Sequence, residues 1–131
     1  MKVTFLGTGT STGIPTIGVK RESCLSSDKR DNRLRSSILI EYKSKSILID
    51  CGPDFRQQML RINKTKIDAI FFTHEHADHT AGLDDIRPIS FHHGKIPIYA
   101  HKRVVDNLKN RFDYLFDKKG DYPGSPHVYP N

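Results

Sequence analysis

Four side chains of the kinds that bind divalent metals fall within six residues of the sequence: His74, His76, Asp78 and His79. Imidazole and carboxylate ligands without thiolate favour a borderline ion such as Zn²⁺, with Mn²⁺ or Fe²⁺ as alternatives. Such a set leaves coordination positions open for water, which is typical of catalytic rather than structural sites. The other interpretation is that solvated or capping side chains cluster here by chance. The spacing favours a catalytic metal site.

The element that must position these ligands is a strand. Residues 67–72 form a short β-branched and aromatic run, which predicts a buried strand that ends just before the first histidine. In an extended chain, side chains two residues apart point the same way. If the chain stays extended past Thr73, the first three ligands converge on one side while His79 turns to another. This geometry suits two neighbouring ions.

Apolar runs elsewhere predict the other elements of an α/β fold. Strands are predicted at 2–6, 37–42, 46–50 and 96–100, and helices at 55–61, shortly after His79 and at 102–116. Residues 16–36 are basic and polar and predict a long loop. We expect Pro88 to end or kink the helix after His79, and His92 and His93 to lie in a loop. The glycine-rich loop after the first strand matches neither a dinucleotide fingerprint nor a P-loop.

The composition indicates one domain over residues 1–131, with 36% hydrophobic and 27% charged residues. Residues 117–131 are rich in proline and glycine, which predicts a loop or a disordered tail. The N-terminal apolar run is too short for a signal peptide or a membrane span, so we expect a cytoplasmic protein without membrane contact. Cys24 and Cys51 are far apart and are expected to be reduced thiols.

The net charge is +6, with basic residues concentrated in the first third of the chain. This charge favours anionic partners, although an ordinary solvated surface also accounts for it. Arg87 is a candidate ligand for a substrate phosphate. The alternative is a solvated arginine at a helix end.

The motif His-x-His-x-Asp-His, followed by Thr-Ala-Gly-Leu at 80–83, resembles that of the metallo-β-lactamase-fold hydrolases. The resemblance implies that His74 and His76 bind a first ion and that Asp78 and His79 bind a second. Asp78 would also orient the attacking hydroxide, which makes it the candidate catalytic residue. Asp50, at the end of a predicted strand, would support the histidines from behind, since a metal-bound imidazole needs a partner on its other nitrogen. The alternative for Asp50 is a turn-capping role.

The glycine-rich opening at 7–13 and the Asp-Asp-Ile-Arg-Pro run at 84–88 resemble the cyclic-phosphate phosphodiesterases of this superfamily. The resemblance implies a metal-dependent phosphodiesterase that acts on a small cyclic or diester phosphate. An RNA-processing endonuclease of the same fold, with RNA as its partner, is the alternative enzyme. A non-catalytic interaction module that retains the metal loop is the alternative outside enzymes.

The predicted order of elements resembles the N-terminal half of the αββα sandwich of that fold, an α/β architecture with a mixed sheet and helices on one face. In the family, the second half supplies a third ligand for the first ion, a bridging aspartate and a final histidine. We therefore expect the 131-residue form to be a truncated piece of a hydrolase and inactive alone. An uncovered apolar sheet face is expected to self-associate.

Overall fold

The computed structural model describes residues 1–116 and 128–130, and its framework is one mixed sheet. Within these residues, six strands lie side by side in chain order: β1 (Lys2–Gly7), β2 (Ser37–Tyr42), β3 (Lys45–Ile49), β4 (Ala69–Phe71), β5 (Ile96–Tyr99) and β6 (Val128–Pro130). The first three strands pair antiparallel, and the pairings from β3 to β6 are parallel. The fold is therefore a mixed α/β fold, as the sequence predicted.

Helices connect the strands. The described α-helices are α1 (Glu22–Leu25), α2 (Phe55–Arg61), α3 (Ala77–Thr80), α4 (Arg87–His93), α5 (Lys102–Arg111) and α6 (Asp113–Phe116). Short 3-10 turns at Lys29–Asp31 and Leu83–Ile86 complete the set. α2, α4 and α5 supply core residues such as Phe55, Ile89 and Leu108.

The two faces of the sheet differ. Leu39, Leu48, Ile70 and Ile98 stand in register across the middle strands and are buried in one core with the helices. The alternate residues form a second face that is apolar but exposed or half-buried, and we call it the open sheet face: Val3, Phe5, Ile38, Ile40, Ile47, Ile49, Phe71 and Tyr99. The described helices therefore pack on one face of the sheet, which confirms that prediction.

The hairpin between β2 and β3 has a shorter turn than the three residues, 43–45, that lie between the predicted strands 37–42 and 46–50. Tyr42 pairs with Lys45, so only two residues form the turn, and Lys43 takes a positive φ of 52°. At the other end, β3 stops at Ile49 because Asp50 has φ 60° and leaves the extended conformation. Asp50 therefore lies in the turn after the strand, where its side chain can reach the neighbouring strand.

Three predictions about the C-terminal helices were wrong: the end of a helix at Pro88, the loop at His92 and His93, and the single helix over 102–116. Pro88 opens α4 instead of ending a helix, because an amide hydrogen has no intrahelical acceptor in the first turn. The same helix includes His92 and His93 and ends at Gly94, whose φ is 81°. The predicted helix 102–116 is divided at Phe112, and a new turn begins where the Asp113 side chain accepts the Tyr114 amide hydrogen.

Short elements also occur in two segments that the sequence assigned to loops. α1 and the 3-10 turn Lys29–Asp31 lie within 16–36, and neither contributes a buried residue. The prediction of a loop or disordered tail at 117–131 is wrong at Val128–Pro130. These residues pair with β5 and occupy hydrogen-bonding positions at the edge of the sheet. Residues 117–127 and 131 lie outside the described residues.

Candidate metal centre

The candidate site lies where two neighbouring parallel strands end. β3 and β4 pair in parallel, so their carboxyl ends meet at one edge of the sheet. The backbone amide of Asp50 donates to the carbonyl of Phe71 at 2.8 Å, which fixes the turn after β3 against the end of β4. The histidine-rich segment begins at His74, three residues after Phe71, so the fold brings Asp50 next to this segment.

The four candidate ligands come together at this edge. Ligand atoms of His74, His76 and Asp78 all lie within 4.8 Å of one another. The ring of His79 lies 4.0 Å from that of His74 between centroids, and its Nε2 is 3.2 Å from Asp78 Oδ2. In the part of the chain that is described, no other group of three or more His, Cys, Asp or Glu residues converges in this way.

The convergence does not arise from an extended chain. α3 begins at Ala77, so Asp78 and His79 lie on a helical turn and the alternation of a strand no longer applies. The turn directs Asp78 towards the first two histidines and keeps His79 beside them. The three side chains predicted to converge do so, and His79 is not in that group, although its ring stays beside that of His74. Only the premise of an extended chain was wrong.

Asp50 is the hydrogen-bonding centre beneath the histidines. Its carboxylate is buried and accepts three hydrogen bonds, two of them from Thr73: the backbone amide at 2.8 Å and the hydroxyl at 2.8 Å. The third partner is Nδ1 of His79 at 2.7 Å. The Asp50 carboxylate is thus placed to support the histidine segment, as the resemblance implied.

The same network sets the orientation of two imidazole rings. A carboxylate only accepts hydrogen bonds, so Nδ1 of His79 carries the proton and Nε2 keeps its lone pair. The Thr73 hydroxyl gives its hydrogen to Asp50, so its oxygen accepts from Nδ1 of His74 at 3.0 Å. Nδ1 therefore has a partner on both rings, which leaves Nε2 as the nitrogen available to a metal; Nε2 of His79 lies 3.2 Å from Asp78 Oδ2.

Thr73 was not recognised as a site residue in the sequence. Its position immediately before the first ligand is the only sequence feature that points to it.

On the other side, two side chains hold the backbone of the ligand segment. Arg111 on α5 donates to the carbonyl oxygen of Glu75 and to the hydroxyl of Thr80, both at 3.0 Å. The buried Thr80 hydroxyl donates in turn to the carbonyl of His76 at 2.9 Å. Arg103 contacts the Glu75 carboxylate at 3.2 Å. No local sequence pattern identifies Arg111, because 31 residues separate it from Thr80.

Glu75 stays ionised in this arrangement. A hydrogen bond from its own backbone amide is the largest cause that lowers the pKa of the carboxyl group. Burial opposes this shift, and the positive charge of Arg103 adds to it. The carboxylate faces α5, so its charge binds the ligand segment to that helix.

Backbone contacts lock the turn after β3 against the ligand segment. The amide of Cys51 donates to the carbonyl of His79 at 2.8 Å, and the amide of Gly82 donates to the carbonyl of Cys51 at 2.9 Å. A Cβ atom on Gly52 would collide with the carbonyl oxygen of Asp78.

Burial raises the pKa of the Cys51 thiol well above its ordinary value, so this cysteine stays neutral and packs in the core.

Arg87 lies in a different environment from the ligands. Its guanidinium contacts both carboxylate oxygens of Asp84, at 2.8 and 2.7 Å, and Tyr114 donates to the same carboxylate at 3.1 Å. The structure therefore shows an ion pair at Arg87, and a role in binding substrate stays a prediction.

The donor set fits a divalent ion. His74, His76 and Asp78 supply two imidazoles and one carboxylate, which is the number of protein ligands usual for a catalytic zinc. The hydrogen-bonded Nδ1 atoms of His74 and His79 satisfy the need of metal-bound imidazoles for a second partner.

Comparison with known families identifies a β-lactamase superfamily domain over residues 45–128. This range begins at β3 and includes Asp50 and all four candidate ligands. The chain belongs to this superfamily, which confirms the resemblance of its motif. Membership implies a divalent metal site and places the chain among proteins that are mostly hydrolases.

Two relatives illustrate how differently named proteins share this sequence. The chain is 46% identical over 127 residues to an octanoyltransferase of Porphyromonas gingivalis, a match that covers 96% of this chain and 25% of that protein. It is 34% identical over 132 residues to a ribonuclease Z of Methanococcus maripaludis, covering 97% of this chain and 37% of that protein. The chain thus spans well under half the length of either relative.

Solved structures give the same fold. A new diphosphatase from the PhnP family matches with a TM-score of 0.87 and 45% identity, over 98% of this chain and 48% of that one. The short form of human tRNase Z matches with a TM-score of 0.68 and 25% identity, over 100% of this chain and 45% of that one. Zinc-bound PqqB from Methylobacterium extorquens, at 20% identity and a TM-score of 0.75, shows the fold alone. The chain spans about half the length of each structure.

Proposed function

We propose that the chain forms part of a metal-dependent phosphodiesterase that acts on a small cyclic or diester phosphate. The observation that carries the proposal is the cluster of histidines and aspartate, in which Asp50 holds the His79 ring and Thr73 holds the His74 ring. The 45% identity to a diphosphatase of the PhnP family supports a phosphate ester as the substrate class. The match to the octanoyltransferase covers a quarter of that protein, so its name describes a molecule most of which lies outside the match.

In this proposal, His74, His76, Asp78 and His79 hold the metal, with Zn²⁺ favoured by the donor set and Mn²⁺ as the alternative. A divalent ion at such a site lowers the pKa of a water nucleophile and neutralises charge that develops on a phosphoryl group. Asp78 orients the nucleophile by accepting a hydrogen bond from it. Asp50 and Thr73 hold Nδ1 of His79 and His74, so that Nε2 of each ring is the nitrogen directed to the metal.

The alternative enzyme is an RNA-processing endonuclease, and the 34% identity to a ribonuclease Z favours it as the second candidate. A non-catalytic interaction module is the candidate outside enzymes. The module differs from both enzymes in one respect, because its partner binding would not depend on the candidate metal ligands.

His76→Ala is expected to lower the affinity for Zn²⁺ by about a hundredfold or more, because loss of a ligand should cost at least as much as loss of its supporting partner. Bound metal is measured by elemental analysis after dialysis at controlled free Zn²⁺. Hydrolysis of bis(p-nitrophenyl) phosphate and of a single-stranded RNA is measured on the same samples. Any hydrolysis is expected to fall together with the metal content.

His93→Ala is the matched control, since His93 is an exposed histidine at the end of α4 outside the cluster. This variant should bind metal as the unmodified chain does. Hydrolysis that survives in His76→Ala would contradict the proposed function. Hydrolysis of RNA without hydrolysis of the small diester would favour the endonuclease.

We also propose that the open sheet face mediates self-association. Its apolar side chains stand in register from β1 to β5, and the described helices pack on the opposite face. The open sheet face of a second copy is equally apolar, so two copies can pair these faces about a two-fold axis.

None of the described helices is long and apolar enough to cross a membrane. The cytoplasmic location inferred from the N-terminal residues stays a prediction.

Val3→Lys is expected to weaken this association by about tenfold or more, because Val3 lies on the open sheet face and a charge there must be desolvated. Sedimentation equilibrium over a range of protein concentrations measures the effect. Leu60→Lys is the control, because Leu60 is 63% exposed but belongs to α2 on the other side of the sheet. A chain that stays monomeric at every concentration would contradict the proposal.

A further inference from the structure

A basic cleft of about 420 Å³ lies beside the edge strand β1 and shares no lining residue with the candidate metal centre. We define the basic cleft by six of its lining residues: Phe5, Thr8, Lys29, Arg30, Arg33 and Arg61. Four of the six carry a positive charge. Neither the family match nor the proposed function assigns a role to this cleft.

The positive charges come from two chain segments, the stretch 29–33 and the end of α2. Lys29 and Arg30 belong to the 3-10 turn Lys29–Asp31, which is capped by the Asp28 side chain. The backbone of Arg33 exchanges two hydrogen bonds with Ile14, at 2.8 and 2.9 Å. Arg61 is the last residue of α2. The fold therefore brings Arg61 to the basic stretch 29–33.

Three of these charges lack a carboxylate partner among the residues that the structure describes. Arg30 is paired with Asp28 at 2.6 Å, which neutralises it. No carboxylate in the described ranges lies within 4.0 Å of the side-chain nitrogens of Lys29, Arg33 or Arg61. Unpaired like charges that line one cleft repel one another, and the repulsion is relieved when an anion binds.

An exposed aromatic ring accompanies these charges. Phe5 lines the cleft and its side chain is 68% exposed, because β1 is the edge strand of the sheet. A positively charged groove that follows the phosphates, together with an aromatic ring on which a base stacks, is the arrangement that binds single-stranded nucleic acid. One small phosphate would leave both the ring and part of the charge unused.

We propose that the basic cleft of the monomeric chain binds a single-stranded nucleic acid, with its phosphates at Lys29, Arg33 and Arg61 and one base against Phe5. Self-association through the open sheet face would cover that ring, so the two kinds of binding compete at Phe5. Binding of the nucleic acid goes beyond the proposed function, because it requires neither a metal nor the candidate ligands. It is therefore measured in the presence of a chelator, where a failure of the cleft cannot be confused with a failure of hydrolysis.

The test measures fluorescence anisotropy of a labelled single-stranded RNA of about 12 nucleotides, and of DNA with the same sequence, at several salt concentrations. The double variant Arg33→Gln/Arg61→Gln is expected to bind about tenfold more weakly at low salt. The slope of log affinity against log salt is expected to become shallower by about 1.4, which corresponds to two lost phosphate contacts on a single strand. Phe5→Ala is expected to weaken binding by about tenfold without changing that slope.

Lys95→Gln/Lys109→Gln is the matched control, because both lysines are exposed and lie outside the cleft. It removes the same charge and should change the slope much less. Arg33→Lys/Arg61→Lys keeps the charge and should restore the slope, which excludes a folding defect. Equal affinities of the double variants Arg33→Gln/Arg61→Gln and Lys95→Gln/Lys109→Gln would overturn the proposal. So would a DNA duplex that competes as well as the single strand, or pyrophosphate that competes at the same concentration of phosphate.

Similar affinity for RNA and DNA would assign the cleft to single strands in general. A preference for RNA would identify RNA as the partner.

Discussion

Gly52→Ala is expected to disrupt the candidate metal centre and to destabilise the fold by roughly 3 kcal/mol or more, at or beyond the upper end of overpacking effects. The added Cβ would collide with the carbonyl oxygen of Asp78 and lie 3.0 Å from its carbonyl carbon. These are backbone atoms, so no side-chain rotation relieves the contact. The segment from Ala77 to Thr80 would have to move away from the turn after β3, and Asp78 would move with it.

Urea denaturation and Zn²⁺ binding measure the two consequences. Gly82→Ala should behave in the same way, because its Cβ would collide with the carbonyl oxygen of Gly52. Gly18→Ala is the control for backbone strain alone, since Gly18 has φ 77° and no atom within 4 Å of an added Cβ. This control should lose only about 1 kcal/mol and keep its metal affinity. A Gly52→Ala protein with unchanged stability would contradict the packing shown here.

Much of the fold follows from local patterns in the sequence. The apolar runs of the first three strands predicted their place in the sheet. The strand before His74 was predicted from its β-branched and aromatic residues. The proximity of His74, His76 and Asp78 was predicted from their spacing, although a helical turn and not an extended chain brings Asp78 to the histidines. These features depend on residues close together in the chain, which is why sequence patterns indicate them.

The features that the sequence did not reveal depend on contacts between distant segments. The turn that keeps His79 beside His74 is fixed by a hydrogen bond. The amide of Cys51, 28 positions earlier in the chain, donates to the carbonyl of His79. Arg111 reaches the ligand segment only because α5 packs beside it. Helix limits were also misjudged at Pro88 and Phe112, where the first-turn position of a proline and a local cap decided the outcome. Contacts between distant segments settled the first two points, and local capping settled the helix limits.

Asp50→Asn is expected to lower the affinity for a divalent metal by about 10- to 100-fold while leaving the fold largely intact. Asparagine tolerates the φ of 60° at this position, and its carbonyl oxygen can still accept the amide hydrogen of Thr73. The amide NH₂ then replaces Oδ2, which lies 2.7 Å from Nδ1 of His79. An NH₂ group donates, so the ring must accept at Nδ1 and carry its proton on Nε2. The nitrogen that faces Asp78 then has no lone pair to offer a metal.

Isothermal titration with Zn²⁺ measures this effect, and two variants isolate its cause. Asp50→Ala should lose metal affinity and also about 1 to 3 kcal/mol of stability, because it leaves the amide of Thr73 without its acceptor. Asp68→Asn makes the same chemical change at a carboxylate that accepts the backbone amide of Ser46 away from the cluster, and it should bind Zn²⁺ normally. If Asp50→Asn binds Zn²⁺ as tightly as the unmodified chain, the orientation of His79 does not depend on this carboxylate. The ring would then have to be held by its contact with Asp78 instead.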